Sequence, residues 1–194
     1  MGDYTIISSA GRAIVDLLKS AMIPTVIQSE DEIGLCCPED KGNVRLCVYL
    51  YSVTECREIT QDNRRYGEHL STGDSKFLYL YYLMTASSSS DIRFRAYEEH
   101  NILGKVIEIF NDNTSLDIKD YSGHDLPNES DIPISMINLS EEDVGKLYGA
   151  LQMKQRLSLF YRVGPVEIES GSFAAVRRVS SAGVDFEEGG RDGD

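Results

Sequence analysis

Tryptophan is absent from this 194-residue chain, histidine occurs three times and cysteine four times. Basic residues are also scarce: 19 Lys and Arg stand against 32 Asp and Glu, a net charge of −13. That deficit excludes a nucleic-acid backbone as the main partner, because such binding is driven by cationic side chains that release counterions. No apolar run approaches the ~20 residues that a membrane-spanning helix needs, so no membrane partner is expected. The start lacks a basic stretch followed by an apolar one, which predicts cytoplasmic synthesis without Sec export.

The cysteines, Cys36, Cys37, Cys47 and Cys56, do not show the C-x2–4-C spacing that lets two thiolates reach one tetrahedral zinc, so no metal is expected. A cytoplasmic chain keeps them reduced, and Cys47, inside an apolar run, reads as a small core residue. His69, His100 and His124 share neither i,i+4 spacing nor an HExxH setting. The chain also has no GxSxG elbow, no GxxxxGK[ST] loop and no GxGxxG after a strand. Gly123-His124-Asp125 places a base beside a carboxylate, but reads as a turn. The acidic groups Glu30-Asp31-Glu32, Glu98-Glu99 and Glu141-Glu142-Asp143 fall on helix faces or loops beside water. No catalytic residue and no cofactor is therefore expected.

What is present is an ordinary globular composition, 41% hydrophobic and 26% charged, in a length that suits one domain. It also holds 11 tyrosines, concentrated in two runs. Leu46-Cys47-Val48-Tyr49-Leu50-Tyr51-Ser52-Val53 and Lys76-Phe77-Leu78-Tyr79-Leu80-Tyr81-Tyr82-Leu83-Met84-Thr85-Ala86 alternate at period two. Such strands carry aliphatic and aromatic character on both faces and belong in the middle of a domain or an assembly. Tyrosine gives large contact area at low entropic cost. Tyr49, Tyr51, Tyr79 and Tyr81 are accordingly the candidates for core or interface packing. Arg57, Arg64 and Arg65, in the long polar connection from Glu55 to Ser75, are the candidates for polar contacts to a neighbour.

Around these runs, Asp3 to Met22 reads as an amphipathic helix capped by Asp3 and stopped by Pro24. Thr25 to Leu35 reads as extended, interrupted by its acidic cluster, and the first tyrosine strand begins at Val44. Ser87 to Ser90 reads as a flexible hinge before a helix from Ile92 to Phe110. That helix has an apolar stripe of Phe94, Tyr97, Ile102, Leu103, Val106, Ile107 and Phe110. Ser115 to Pro133 reads as loop, then Ile132 to Ile137 as a short strand. Ser140 opens a helix with Val144, Leu147, Tyr148 and Leu151 on one face. Leu157 to Val163 and Val166 to Glu169 read as a strand pair bent at Gly164-Pro165. Residues 1–170 form the expected domain. From Gly171 to Asp194 the chain is acidic and glycine-rich, a composition that predicts disorder or order only on binding.

The order of these pieces carries a resemblance. The segments are Leu46 to Glu55, Asn63-Arg64, Leu78 to Ala86, Asn101-Ile102-Leu103-Gly104-Lys105-Val106, Lys146-Leu147-Tyr148-Gly149-Ala150-Leu151-Gln152 and Arg156 to Val163. Together they resemble the cap, or tail-terminator, family of extracellular contractile injection systems, phage-tail-like particles that include the antifeeding prophage. The resemblance covers roughly Tyr4 to Ser170 and implies an α+β domain with a mixed, largely antiparallel sheet flanked by helices. It further implies a homohexameric ring that ends the inner tube, engages the last sheath layer and fixes particle length without making or breaking bonds. Its partners would be copies of itself, the tube protein and the sheath protein. Assembly would be cytoplasmic, with later release as part of the particle. The Asn63-Arg64-Arg65 order departs from the family's usual Arg-Asn. Other readings are another tail or baseplate component, a small hydrolase using His124 and Asp125, and a soluble adaptor with an acidic tail.

Overall fold

The computed structural model describes residues 4–56, 76–119 and 125–168. Three helices and six strands follow one another among them. They are α1 (Ile6–Met22), β1 (Ile33–Leu35), β2 (Leu46–Glu55), β3 (Lys76–Ala86), α2 (Ile92–Asp112), β4 (Ser115–Lys119), β5 (Asp125–Met136), α3 (Glu141–Ala150) and β6 (Ser158–Ile168). The strands form a single sheet in the order β1-β2-β3-β6-β5-β4. Only the β1–β2 pair is parallel, so the fold is α+β with a mixed, largely antiparallel sheet.

α1 follows from one row of side chains. Ile6, Ala10, Ile14, Leu18 and Met22 recur every four residues, which stacks them on one helix face, and all are 0% exposed. Each large member of that row stabilises the fold by roughly 1.5–3 kcal/mol through burial. Pro24 ends the helix by pushing Ile23 into an extended conformation. The expected Asp3 cap lies outside the described residues. The capping position is held by Thr5, whose side chain accepts no cap hydrogen bond. α1 touches β1 and β2 at one edge of the sheet and β6 and β4 towards the other, so the sheet curls round it. The core lies in that concavity: Leu46 and Val48 of β2, Leu80, Tyr82 and Met84 of β3, Tyr161, Val163 and Val166 of β6, and the inner face of α2.

Several expectations change. The segment expected to be loop from Ser115 to Pro133 contains β4 and most of β5, with Leu116, Ile118, Ile132 and Ile134 buried. The two closing strands are one, β6, in which three steps from Val163 to Val166 oppose two from Leu80 to Leu78. A bulge at Gly164-Pro165 absorbs the extra residue, so the strand bends without breaking. Gly164 takes φ +120°, and a Cβ there would sit 2.7 Å from the Leu78 carbonyl oxygen. The β2 strand starts at Leu46, and the acidic cluster Glu30–Glu32 forms a 3-10 turn ahead of β1.

The apolar stripe expected on α2 is buried only in its second half. Ile102, Leu103, Val106, Ile109 and Phe110 face the core, whereas Phe94, Tyr97 and Ile107 are exposed. The first half of the helix is held by polar links instead. Glu98 accepts hydrogen bonds from Ser88 Oγ (2.5 Å), Ser90 Oγ (2.7 Å) and Arg45 (3.1 Å). The serine run expected as a hinge is thereby tied down, with Ser87 Oγ also donating to the Val44 carbonyl at 3.2 Å.

Candidate interaction surface

Register decides which tyrosines face the core. Tyr82 lies between Leu50 and Tyr161, on the face that packs against the helices. Its neighbours in β3 must point the other way, because side chains alternate across a strand. On that outer face Tyr49 pairs with Leu83, which pairs with Phe160. Tyr81 lies between Ser52 and Arg162, and Tyr79 opposes Thr54. Between Leu50 and Ser52 the β2 register slips by one residue, and the extra residue is Tyr51.

That bulge concentrates aromatic surface. The Tyr51 ring lies 6.2 Å from Tyr81 and 6.1 Å from Phe160, centroid to centroid, and the Arg162 guanidinium sits 4.8 Å above the Tyr79 ring. The last contact is a cation–π pair. Tyr49, Tyr51, Tyr79 and Tyr81 are all half-buried, so the sequence-predicted tyrosines share one face of the sheet without entering the helix-side core. Burial, with Tyr81 beside it, pushes the Tyr51 hydroxyl above the usual tyrosine range. Arg57, Arg64 and Arg65 lie outside the described residues, as do His69, His124 and the segment from 169 to 194. Phe160 and Arg162 complete the strip and were not singled out from sequence; their alternation with the core residues Tyr161 and Val163 was the available signal.

α3 sits over one end of the same face. Ser140 caps it, accepting from the Asp143 amide at 3.1 Å while donating to the Asp143 carboxylate at 2.6 Å. Of the apolar residues expected on its inner side, only Tyr148 is buried, with its hydroxyl 2.5 Å from Ser158 Oγ.

At the β1 edge a second feature opens, an apolar groove of about 550 Å³ between the start of α1 and β1–β2. Tyr4, Ile7, Leu35, Leu50 and Tyr82 contribute to its walls. Gly11 permits the close approach, since a Cβ there would meet Leu35 Cδ1 at 3.0 Å. The Tyr82 hydroxyl is buried in this region with no hydrogen-bond partner. Cys36 and Cys47 meet beside the groove, Sγ to Sγ 2.9 Å, although ten residues separate them in sequence and their spacing fits no pairing rule. Cys47 is, as expected, a buried residue. Among the described residues no group of His, Cys, Asp and Glu is arranged to hold a metal, and no helix is long and apolar enough to cross a membrane.

Against this geometry the comparisons with known proteins are informative. Residues 10–181 match the Pvc16 N-terminal domain. The chain belongs to that family. No curated protein matches it in sequence. Its fold is similar to that of the sheath/tube terminator of PVC, an extracellular contractile injection system, solved in the extended state (TM-score 0.58, 16% identity). That likeness covers 100% of this chain and 67% of the other. It is also similar to the tube-terminating cap of the anti-feeding prophage (TM-score 0.56, 16% identity), over 91% of this chain and 60% of that one. The chain thus spans about two thirds of the length of these structures or less. Family membership accords with the resemblance read from the tyrosine strands and the closing segment.

Proposed function

We propose that this chain is a structural cap of a contractile injection system. Copies of it form a homohexameric ring that ends the inner tube, contacts the last sheath layer and fixes particle length. The observation that carries this reading is the family match over residues 10–181, joined to a fold shared with two tube terminators. The chemistry agrees with a role in assembly rather than turnover: the most concentrated feature of the outer sheet face is aromatic, with one arginine over a ring. A ring needs heterologous interfaces that close on themselves, and rigid tyrosines suit such contacts.

In this reading Tyr49, Tyr51, Tyr79 and Tyr81 pack against a neighbouring subunit or the tube. Arg57, Arg64 and Arg65 supply polar contacts from the connection between β2 and β3. Residues 1–170 are the cap domain, and residues 171–194 are an acidic, glycine-rich tail whose composition suits disorder or order only on binding. The protein is made and assembled in the cytoplasm and leaves as part of the particle. Size-exclusion chromatography with light scattering, followed by electron microscopy with purified tubes, tests the proposal. A hexamer that decorates tube ends is expected. A strict monomer that leaves tube ends bare rejects it.

A further inference from the structure

We infer that Cys36 and Cys47 are a dithiol pair built to close into a disulfide, stapling the β1 edge of the sheet to β2. β1 is only three residues long and is held to β2 by the register Ile33↔Leu46, Gly34↔Cys47 and Leu35↔Val48. Cys36 follows directly, and its amide donates to the Val48 carbonyl at 3.1 Å, which keeps it in line with β2. In that register Cys47 opposes Gly34, so Cys36 stands two residues further on, diagonal to Cys47 on the same face, and the side chains close the gap. Forming the bond draws Cys36, just past the end of β1, towards β2. The side chains converge: Cys36 Sγ is 2.9 Å from Cys47 Sγ, and Cys47 Sγ donates to the Cys36 carbonyl at 2.7 Å. That approach is closer than the roughly 3.5 Å of ordinary non-bonded carbons, so nothing intervenes. Cys37, the adjacent thiol, makes no such contact with Cys47, and Cys56 lies at the far end of β2.

The two thiols differ in access. Cys36 is half-buried at the groove, whereas Cys47 is 1% exposed. Exchange with a small disulfide such as glutathione disulfide therefore begins at Cys36. Its thiolate attacks one glutathione sulfur, expelling the other as a thiolate and leaving a mixed disulfide. Cys47, once it has given its proton to solvent, attacks the Cys36 sulfur and expels the second glutathione. In total the two cysteines lose two electrons and two protons, and glutathione disulfide leaves as two thiols. Burial raises both thiols above their ordinary range, which slows the exchange without altering its product. In a reducing cytoplasm the pair stays open; outside it the bond persists.

The isolated chain serves for the test, so the outcome is independent of any role in a ring. The folded protein is incubated with oxidised glutathione, the excess is removed, and free thiols are counted alongside mass spectrometry of non-reduced peptides. The expected result is a fall from four thiols to two, with a Cys36–Cys47 cross-linked peptide. The melting midpoint should rise by roughly 5–10 °C, because the bond closes a short loop in the unfolded chain. Cys37→Ser should still lose two thiols, whereas Cys36→Ser should lose none to an internal bond. Each variant is first checked for the parent's circular dichroism spectrum. Retention of all four thiols after prolonged exposure, or an internal bond in Cys36→Ser, overturns the inference. So does a stable glutathione adduct at Cys36.

Discussion

The Tyr51 ring stands edge-on to Phe160, at 84° and 6.1 Å between centroids, although the strand β3 lies between their backbones. Residues two strands apart meet because Tyr51 is the bulged residue of β2 and leans across the row that holds Tyr81. Aromatic pairs in this geometry contribute about 0.5–1.5 kcal/mol beyond their area. Phe160 is 7% exposed, but Tyr51 and Tyr81 stay partly open to solvent, which suits a contact surface better than a core. Tyr51→Ala and Tyr81→Ala are each expected to lower monomer stability by only about 1 kcal/mol while weakening self-association strongly. Denaturant melts and light scattering on the same samples check both halves. Unchanged association would remove the strip from the interface.

Tyr82 makes the opposite case. It is 1% exposed, and its hydroxyl has no hydrogen-bond partner close to Gly11 and Leu35. A buried polar group left unpaired costs roughly 1–3 kcal/mol, and removing it while keeping the ring recovers part of that cost. Tyr82→Phe is expected to stabilise the chain by about 1 kcal/mol in urea denaturation. A loss of similar size would mean that a water or another group serves the hydroxyl.

Gly164 carries the bulge that keeps β6 continuous. Its φ of +120° is hard for a residue with a Cβ, and that atom would press on the Leu78 carbonyl oxygen at 2.7 Å. Gly164→Ala is expected to cost roughly 2–4 kcal/mol, from strain and displacement of β3 together. Thermal unfolding measures it. A cost below 0.5 kcal/mol would show that the bulge can move.

Period and chain order made much of this fold legible. The every-fourth-residue row of α1, the alternation of β2 and β3 and the Ser140 cap are local signals, and each matches an element. The Ser115-Leu116-Asp117-Ile118-Lys119 alternation was equally local but was masked by the polar, proline-containing stretch after it. Periodicity marked the apolar residues of α2 but not how far the helix overhangs the sheet, so Phe94 and Tyr97 emerged exposed. The four tyrosines of the outer strip were identifiable as a set, whereas their face depends on the Leu50–Ser52 slip, a matter of pairing between strands. The meeting of Cys36 and Cys47 depends on the parallel β1–β2 register, which no spacing within one segment encodes.

Acid should loosen the link between α2 and the sheet. Hydrogen bonds from Ser88 and Ser90, and then the Arg45 charge, hold the Glu98 carboxyl below the usual glutamate range. A carboxyl lowered by folding contributes stability that is complete above its unfolded pKa and is lost as pH falls through its folded value. Stability is therefore expected to drop below the ordinary glutamate titration range, and the drop should be shallower in Glu98→Gln. Urea melts of both proteins at pH 7 and pH 3 provide the comparison. Identical pH slopes would show that the link carries no net stability.

α3 depends on a single residue. Its exposed acidic first turn suits the positive end of the helix dipole but provides no packing, and Tyr148 is its only buried side chain. Tyr148 fixes the helix in two ways: its ring is 2% exposed, and its hydroxyl meets Ser158 Oγ at 2.5 Å, where Ser158 also donates to the Arg156 carbonyl at 2.8 Å. The two contributions separate by substitution. Tyr148→Phe keeps the ring and removes only the hydroxyl's hydrogen bond, with Ser158 still donating to the Arg156 carbonyl, so it should cost about 1 kcal/mol and leave α3 in place. Tyr148→Ala removes the ring, with an expected global cost of about 3–5 kcal/mol. A ten-residue helix without tertiary packing is marginal in water, so α3 should then open locally as well. Hydrogen exchange across residues 141–150 distinguishes the variants: Tyr148→Phe should retain the parent's protection, whereas Tyr148→Ala should lose it ahead of β6. Equal loss in both would assign the anchor to the hydroxyl, and retention in both would mean that contacts other than Tyr148 hold the helix.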